Sequence, residues 1–277
     1  MELGILFGLG SALAFGSGDF AGGYATRRLS GVTVAAGAHA VGMLLVLGLL
    51  AIMRPAVPSL GSLAIGTVAG AVGGVGLVVL YRGLSLGSMG IVAALSGVGS
   101  VGIPVVASYA LGRAPMTPGQ WLGIALALVA IGAASGATRA GVRPAAIALG
   151  VIAGIGFGLW FLLLDFAAEE SQTWALVASR SASTVLLGGL ALARRRFGGL
   201  RTAWPIVVAS GALDVTGNAA FVLSRGLVAV GVAAALAGLY PIVTMLLAGI
   251  VLRESLPQLG LAAVLLAVLG VVLISLG

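Results

Sequence analysis

Apolar segments of about twenty residues, the length that crosses a hydrocarbon core of roughly 30 Å at 1.5 Å rise per residue, follow one another almost end to end in this chain. Ten can be placed, at residues 3–25, 32–52, 60–81, 87–111, 118–137, 145–165, 172–193, 203–224, 229–252 and 257–276. They leave no stretch long enough for a soluble domain. In lipid a backbone satisfies its polar groups only as a helix or a closed barrel, and segments this long and continuous predict helices. Composition agrees: of 277 residues, 60% are hydrophobic and 8% charged, against about 25% charged in soluble domains. The expected fold is an all-α polytopic membrane protein with ten transmembrane helices.

The chain also repeats itself. Tyr81-Arg82-Gly83-Leu84 returns as Ser224-Arg225-Gly226-Leu227, Ala94-Leu95-Ser96-Gly97 as Ala235-Leu236-Ala237-Gly238, Pro104 as Pro241, and Gln120-Trp121-Leu122-Gly123 as Gln258-Leu259-Gly260. Five helices per copy make the second copy insert from the opposite side. The reading is therefore two inverted five-helix repeats, residues 1–140 and 141–277, related by a half-turn about an axis in the membrane plane. A transporter with its site between repeats has this form. Helix ten is almost entirely Leu, Val, Ala and Gly, helix five nearly so, and both are expected to face lipid.

Several chemistries are excluded at once. With no cysteine and one histidine, thiol catalysis, disulfides and cysteine or histidine metal cages have no ligands, so neither cofactor nor metal is expected. The net charge of +7 comes wholly from arginine. Arg27, Arg28, Arg82, Arg139, Arg143, Arg194, Arg195, Arg196, Arg201 and Arg253 fall on one side of the ten-helix layout, and Arg54, Arg113 and Arg225 on the other, with Glu169 and Glu170. Basic residues in short loops stay cytoplasmic, which places both termini outside. The arginines thus serve orientation rather than nucleic-acid binding, with an anionic-lipid contact at Arg194–Arg196 as a second use. The first segment lacks a basic leader and carries Asp19 before Arg27-Arg28, so it is read as a retained helix, not a signal peptide.

The polar residues inside the segments carry the chemistry. Asp19 lies among small residues in Phe15-Gly16-Ser17-Gly18-Asp19 and is, with Asp214, a candidate for proton coupling. His39 and Arg180 occupy the same register in the second helices of the two copies; taken singly, His39 also reads as a neutral, hydrogen-bonded core histidine. Asp214 sits near mid-membrane in the eighth helix with Asn218 one turn on. An isolated charge there costs roughly 3 kcal/mol or more, so Arg180 and Asp214 should face each other or a wet cavity, as a structural ion pair or as substrate ligands. Pro104 and Pro241 each free a carbonyl one turn back and are expected to kink helices four and nine as gates.

These features resemble the drug/metabolite transporter superfamily and, within it, the ten-helix EamA-type exporters. The likeness rests on Phe15-Gly16-Ser17 in helix one, on Arg180 as the family's second-helix arginine, and on Pro241 followed by Leu252-Arg253-Glu254. The first copy departs from it with His39 for the arginine and Ala114 for the glutamate, and Leu252 stands where glycine is usual. The resemblance implies a carrier in a bacterial inner membrane, a monomer in preference to an oligomer, with a cavity lined by helices one to four and six to nine. It also points to small metabolites, such as the amino acids exported by the YddG-like group. For an amino acid, Arg180 suits the carboxylate and Asp214 with Asn218 the ammonium. His39, Tyr81, Trp160, Tyr240, Ser96 and Ser100 would complete the site. The alternative is an intramembrane aspartyl protease, because Gly16-Ser17-Gly18-Asp19 spells a Gly-x-Gly-Asp string; Asp214 or Asp165 would be the second carboxylate, but neither follows a tyrosine and no Pro-Ala-Leu string is present.

Overall fold

Long apolar runs interrupted by Ser, Thr, Pro and Gly fix where helices start and stop. The computed structural model describes residues 2–87, 89–112, 115–136, 142–193, 200–225, 227–228, 236–255 and 257–276, and these contain ten helices and no strand. They are α1 (Glu2–Ala25), α2 (Gly31–Met53), α3 (Leu60–Leu86), α4 (Met89–Ala110), α5 (Pro118–Gly136), α6 (Pro144–Ala168), α7 (Gln172–Ala193), α8 (Leu200–Arg225), α9 (Tyr240–Leu252) and α10 (Gln258–Leu276). Among the described residues, 6 are long and apolar enough to span a bilayer by length and composition. Arg113, Ala114, Arg139, Arg194–Arg196, Gly226 and residues 229–235 of the ninth expected segment lie outside the described residues.

The helix starts are capped as their sequences dictate. Ser30 Oγ accepts from the Thr33 amide and Ser59 Oγ from the Ser62 amide, each at 3.2 Å. At α5, Thr117 and Gln120 cap one another: the Thr117 amide donates to Gln120 Oε1 (3.0 Å) and the Gln120 amide to Thr117 Oγ1 (3.2 Å). This is the reciprocal box that Thr-x-x-Gln forms ahead of an apolar run. One expectation is corrected. Pro241 does not kink a helix from within; it lies in the first turn of α9, after a turn at Gly238-Leu239. A residue without an N–H is accommodated there because that N–H would have no helical acceptor. Pro104 does lie inside α4, as does Pro205 inside α8, which the sequence reading had not singled out.

Lipid offers no hydrophobic gain between helices, so association depends on close van der Waals contact and interhelical hydrogen bonds. Both are present between α1 and α8. Ser11 Oγ donates to the Gly217 carbonyl (2.9 Å), Ser210 Oγ to Gly18 (3.0 Å) and Ser224 Oγ to Gly4 (2.8 Å). Along each helix these positions recur every seven residues, and every pair joins one serine to one glycine. An antiparallel seam of heptad period results. The second device is Gly150, Gly154 and Gly158 on α6, whose α-carbons lie on the α4 backbone: a Cβ at these positions would meet Val92 O at 3.1 Å, Ser96 O at 2.9 Å and Gly99 O at 2.5 Å.

Helix neighbours are exchanged pairwise between the two copies. α3 lies on α6 and α7 as α8 lies on α1 and α2, α4 lies on α6 as α9 lies on α1, α2 packs on α7 and α5 on α10. α5 and α10 touch through Gly123 and Gly270, where a Cβ on either would come within 2.8 Å of the other's carbonyl oxygen. Their outer faces carry exposed Trp121, Leu128, Leu265 and Leu269.

Candidate functional site

The seam between α1 and α8 opens into a small polar cavity where α2 and α3 close over it. Phe15, Gly18 and Asp19 come from α1, Ala38 and His39 from α2, Leu77 and Tyr81 from α3, and Ser210 and Asp214 from α8. α5 and α10 contribute no lining residue. The enclosed space admits about one water, far less than an amino acid.

Glycines and serines make this convergence possible. Gly22 leaves the gap that the Tyr81 ring fills, and the Tyr81 hydroxyl lies 2.9 Å from Ser210 Oγ. Ser210 donates in turn to the Gly18 carbonyl, so Tyr81 is left as the donor to Ser210. Behind the cavity, Arg180 on α7 is buried and its Nη2 donates to Asp214 Oδ2 as an ion pair. Gly42 on α2 lies against the guanidinium, where a Cβ would stand in ordinary contact 3.5 Å from Arg180 Nη1. His39 Nδ1 is 2.6 Å from Ser183 Oγ, and the Ser183 hydroxyl is committed to the Ser179 carbonyl at 3.0 Å. These contacts form a matched set: His39 meets Ser183, and Arg180, in the same register as His39, meets Gly42, three residues after His39 as Ser183 is three after Arg180. Such reciprocal contacts arise at an isologous interface.

The remaining residues expected at the site are elsewhere. The Asn218 amide donates to the Asp214 backbone carbonyl at 2.7 Å, one turn back on its own helix. Trp160 Nε1 donates to Ser179 Oγ at 2.9 Å, and the indole covers Gly73 between α6 and α3. Tyr240 lies between α9 and α4, with its hydroxyl 3.0 Å from Ser96 Oγ. Ser100 donates to Gly97 on its own helix at 2.8 Å. None of these five lines the cavity, nor does Asp165, which is exposed near the end of α6. Ser210, Ser183 and Phe15 were missed as site residues. Ser210 could have been found, since it stands one turn before Asp214 on the same helix face.

Both ends of α3 are fastened to the second copy. At its start, the Ser59 amide and hydroxyl each donate to the Glu170 carboxylate at 2.6 Å; first the hydroxyl and then the amide hold this fully exposed carboxyl below the usual carboxylate range. Past its other end, Glu254 Oε2 accepts from the Met89 amide at 3.2 Å, where a carboxylate also suits the positive end of α4.

Helices long and apolar enough to cross a bilayer, with charged groups from several of them gathered at one cavity, define a polytopic membrane protein. The model of the EamA-like transporter family matches this chain twice, over residues 2–135 and 144–276. The chain belongs to that family, one of transporters rather than enzymes, with two copies of the family's unit. A crystal structure described only as that of a protein shares the fold with a TM-score of 0.65 at 14% identity, covering 97% of this chain and 95% of the other. No curated protein matches.

Proposed function

We propose that this transporter moves a small zwitterionic solute such as an amino acid, outward, by alternating exposure of the cavity to the two sides of a bacterial inner membrane. The observation that carries the reading is the gathering of Asp19, His39, Tyr81, Arg180 and Asp214 around one enclosed space deep among the helices. Arg180 presents a guanidinium fork suited to a carboxylate, and the two aspartates suit an ammonium. Because the space holds no more than about a water, solute enters only when the halves, residues 1–140 and 141–277, move apart on one side. Release of the Glu170 or Glu254 tie is a step in that opening. In this reading Trp160, Tyr240, Ser96, Ser100 and Asn218 act, if at all, after such a movement, and Pro104 supplies the flexible point in α4.

The test is counterflow in proteoliposomes with a panel of radiolabelled amino acids. Uptake that requires unlabelled solute inside supports the reading, and a panel with no counterflow above empty vesicles overturns the amino-acid assignment. The arginine distribution supports a topology with both termini outside the cytoplasm. In a bacterial host a carboxy-terminal alkaline phosphatase fusion should be active and a green fluorescent fusion dark; the reverse pattern would invert the topology.

A further inference from the structure

The two cavity carboxyls are not equivalent. Asp214 has Arg180 as its ion-pair partner, whereas among the described residues no cation and no hydrogen-bond donor reaches Asp19. The groups that face Asp19 are Asp214 and Ser210 on α8, Tyr81 on α3 and His39 on α2, with Tyr240 on neighbouring α9 and Arg180 behind Asp214. Tyr81 and Ser210 are occupied with each other and with the Gly18 carbonyl, Tyr240 with Ser96, and His39 with Ser183. His39 spends its Nδ1 hydrogen on Ser183 Oγ, whose own hydrogen goes to the Ser179 carbonyl, and among the described residues its ring makes no contact with a carboxylate that would hold a second proton on it. With the imidazole neutral on that pattern, the cavity holds two carboxyls against one guanidinium, and an uncompensated carboxylate at this depth is expensive. One more cation is therefore required. The space is too small for an ammonium-bearing solute, the guanidinium next door repels a metal ion, and no set of three His, Asp or Glu ligands that could hold one exists among the described residues. A proton needs no room.

We infer that Asp19 is the carboxyl that carries a proton through the transport cycle, while Asp214 stays with Arg180. In the occluded form a carboxyl oxygen of Asp19 holds the proton in an O–H bond. When the cavity opens, that bond breaks and the proton passes to water, leaving a carboxylate free to receive the solute's ammonium group. The inference rests on the transport reading, but its first test needs no solute. In the purified full-length protein at neutral pH, the infrared carbonyl stretch of a protonated carboxyl should be present, should shift in deuterated water, and should be lost in Asp19→Asn. Survival of the band in Asp19→Asn overturns the inference. Should that variant fail to fold, Asp19→Glu is expected to move the band, and an unmoved band assigns the proton elsewhere and overturns it equally. In proteoliposomes, an imposed pH gradient should accelerate wild-type amino-acid flux. Asp19→Asn, which removes the carboxylate that receives the ammonium, should lose counterflow together with that acceleration, while Asp19→Glu, which keeps a titratable carboxyl, should retain a response to the pH gradient. A sodium gradient driving wild-type flux in place of the pH gradient would overturn the inference. Absence of wild-type counterflow with the infrared band intact would instead sink the amino-acid reading alone.

Discussion

Gly154→Val is expected to yield no folded protein, while Gly188→Ala and Gly189→Ala leave thermal stability unchanged or raise it slightly. A Cβ at Gly154 would lie 2.9 Å from Ser96 O, 3.0 Å from Leu95 O and 3.1 Å from Ser96 Cα. All three are backbone atoms of α4, so no side chain can swing aside and α4 itself must withdraw. Gly99 and Gly158 tighten the same crossing, since a Cβ on Gly99 would come within 2.5 Å of the Gly154 carbonyl carbon. Overpacking usually costs about 1–3 kcal/mol where side chains can yield. Here the whole α4–α6 seam is lost, which exceeds that range. Gly188 and Gly189 have nothing within 4 Å of a built Cβ, and an alanine inside a helix gains up to about 1 kcal/mol over glycine. Thermal unfolding in detergent, read by monodispersity, distinguishes the two groups. Folded Gly154→Val with wild-type stability would show that the α4–α6 contact is not a determinant of the fold.

That seam also shows where sequence reading stopped. The helices themselves were legible because a bilayer sets one length for all of them: α2, α5 and α7 start or end within a residue or so of their expected bounds. The ninth was misread as one segment with a kink, because proline at a helix start and proline within a helix look alike in an apolar run. Only Gly238-Leu239 ahead of it marks the break. Which glycines serve packing was not legible, since a chain with 46 of them offers many small-residue spacings. The four-residue interval at Gly150, Gly154 and Gly158 was nevertheless a usable signal for a close helix crossing. So was the seven-residue interval Gly4, Ser11, Gly18 opposite Ser210, Gly217, Ser224.

At the cavity, the membrane's dislike of charge carried the reading. An aspartate and an arginine deep in apolar helices had to meet, and Arg180 and Asp214 do. The shared register of His39 and Arg180 foretold that they would be related, though not that each would rest on the residue equivalent to the other's neighbour, Ser183 and Gly42. Tyr240, Ser96 and Trp160 were expected at the same place because they are polar and aromatic. They are not, because the face a helix turns inward depends on which helix it packs against. α9 turns Tyr240 toward Ser96 on α4, and α6 turns Trp160 toward Ser179 on α7. Trp160 moreover covers Gly73 on the α3–α6 side, the counterpart of the α1–α8 side where the cavity lies, so the two copies differ most where the chemistry is.

Arg180→Lys should fold and yet lose most transport, whereas Arg180→Ala and Asp214→Ala should each be destabilised. The lysine keeps the charge near Asp214, but one ammonium cannot present the two parallel donors that a guanidinium offers to a carboxylate. It can hold either Asp214 or a solute carboxylate, and a solute site built on the fork fails. Removing either partner leaves a charge in the membrane interior without its mate, at about 3–5 kcal/mol for a fully buried pair. Arg180 is the more buried of the two, with a side chain 9% exposed against 40% for Asp214, so Asp214→Ala, which strands the guanidinium, is the more damaging. Exchanging the two, Arg180→Asp with Asp214→Arg, separates the roles. A purely structural pair regains much of its stability and keeps its flux. A solute-binding arginine moved from α7 to α8 regains stability without flux, and this second outcome is the expected one. Melting temperatures and amino-acid counterflow on the four variants decide it, and undiminished flux in a well-folded Arg180→Ala would remove Arg180 and its partner from the transport path, leaving Asp19, His39 and Tyr81 to define it.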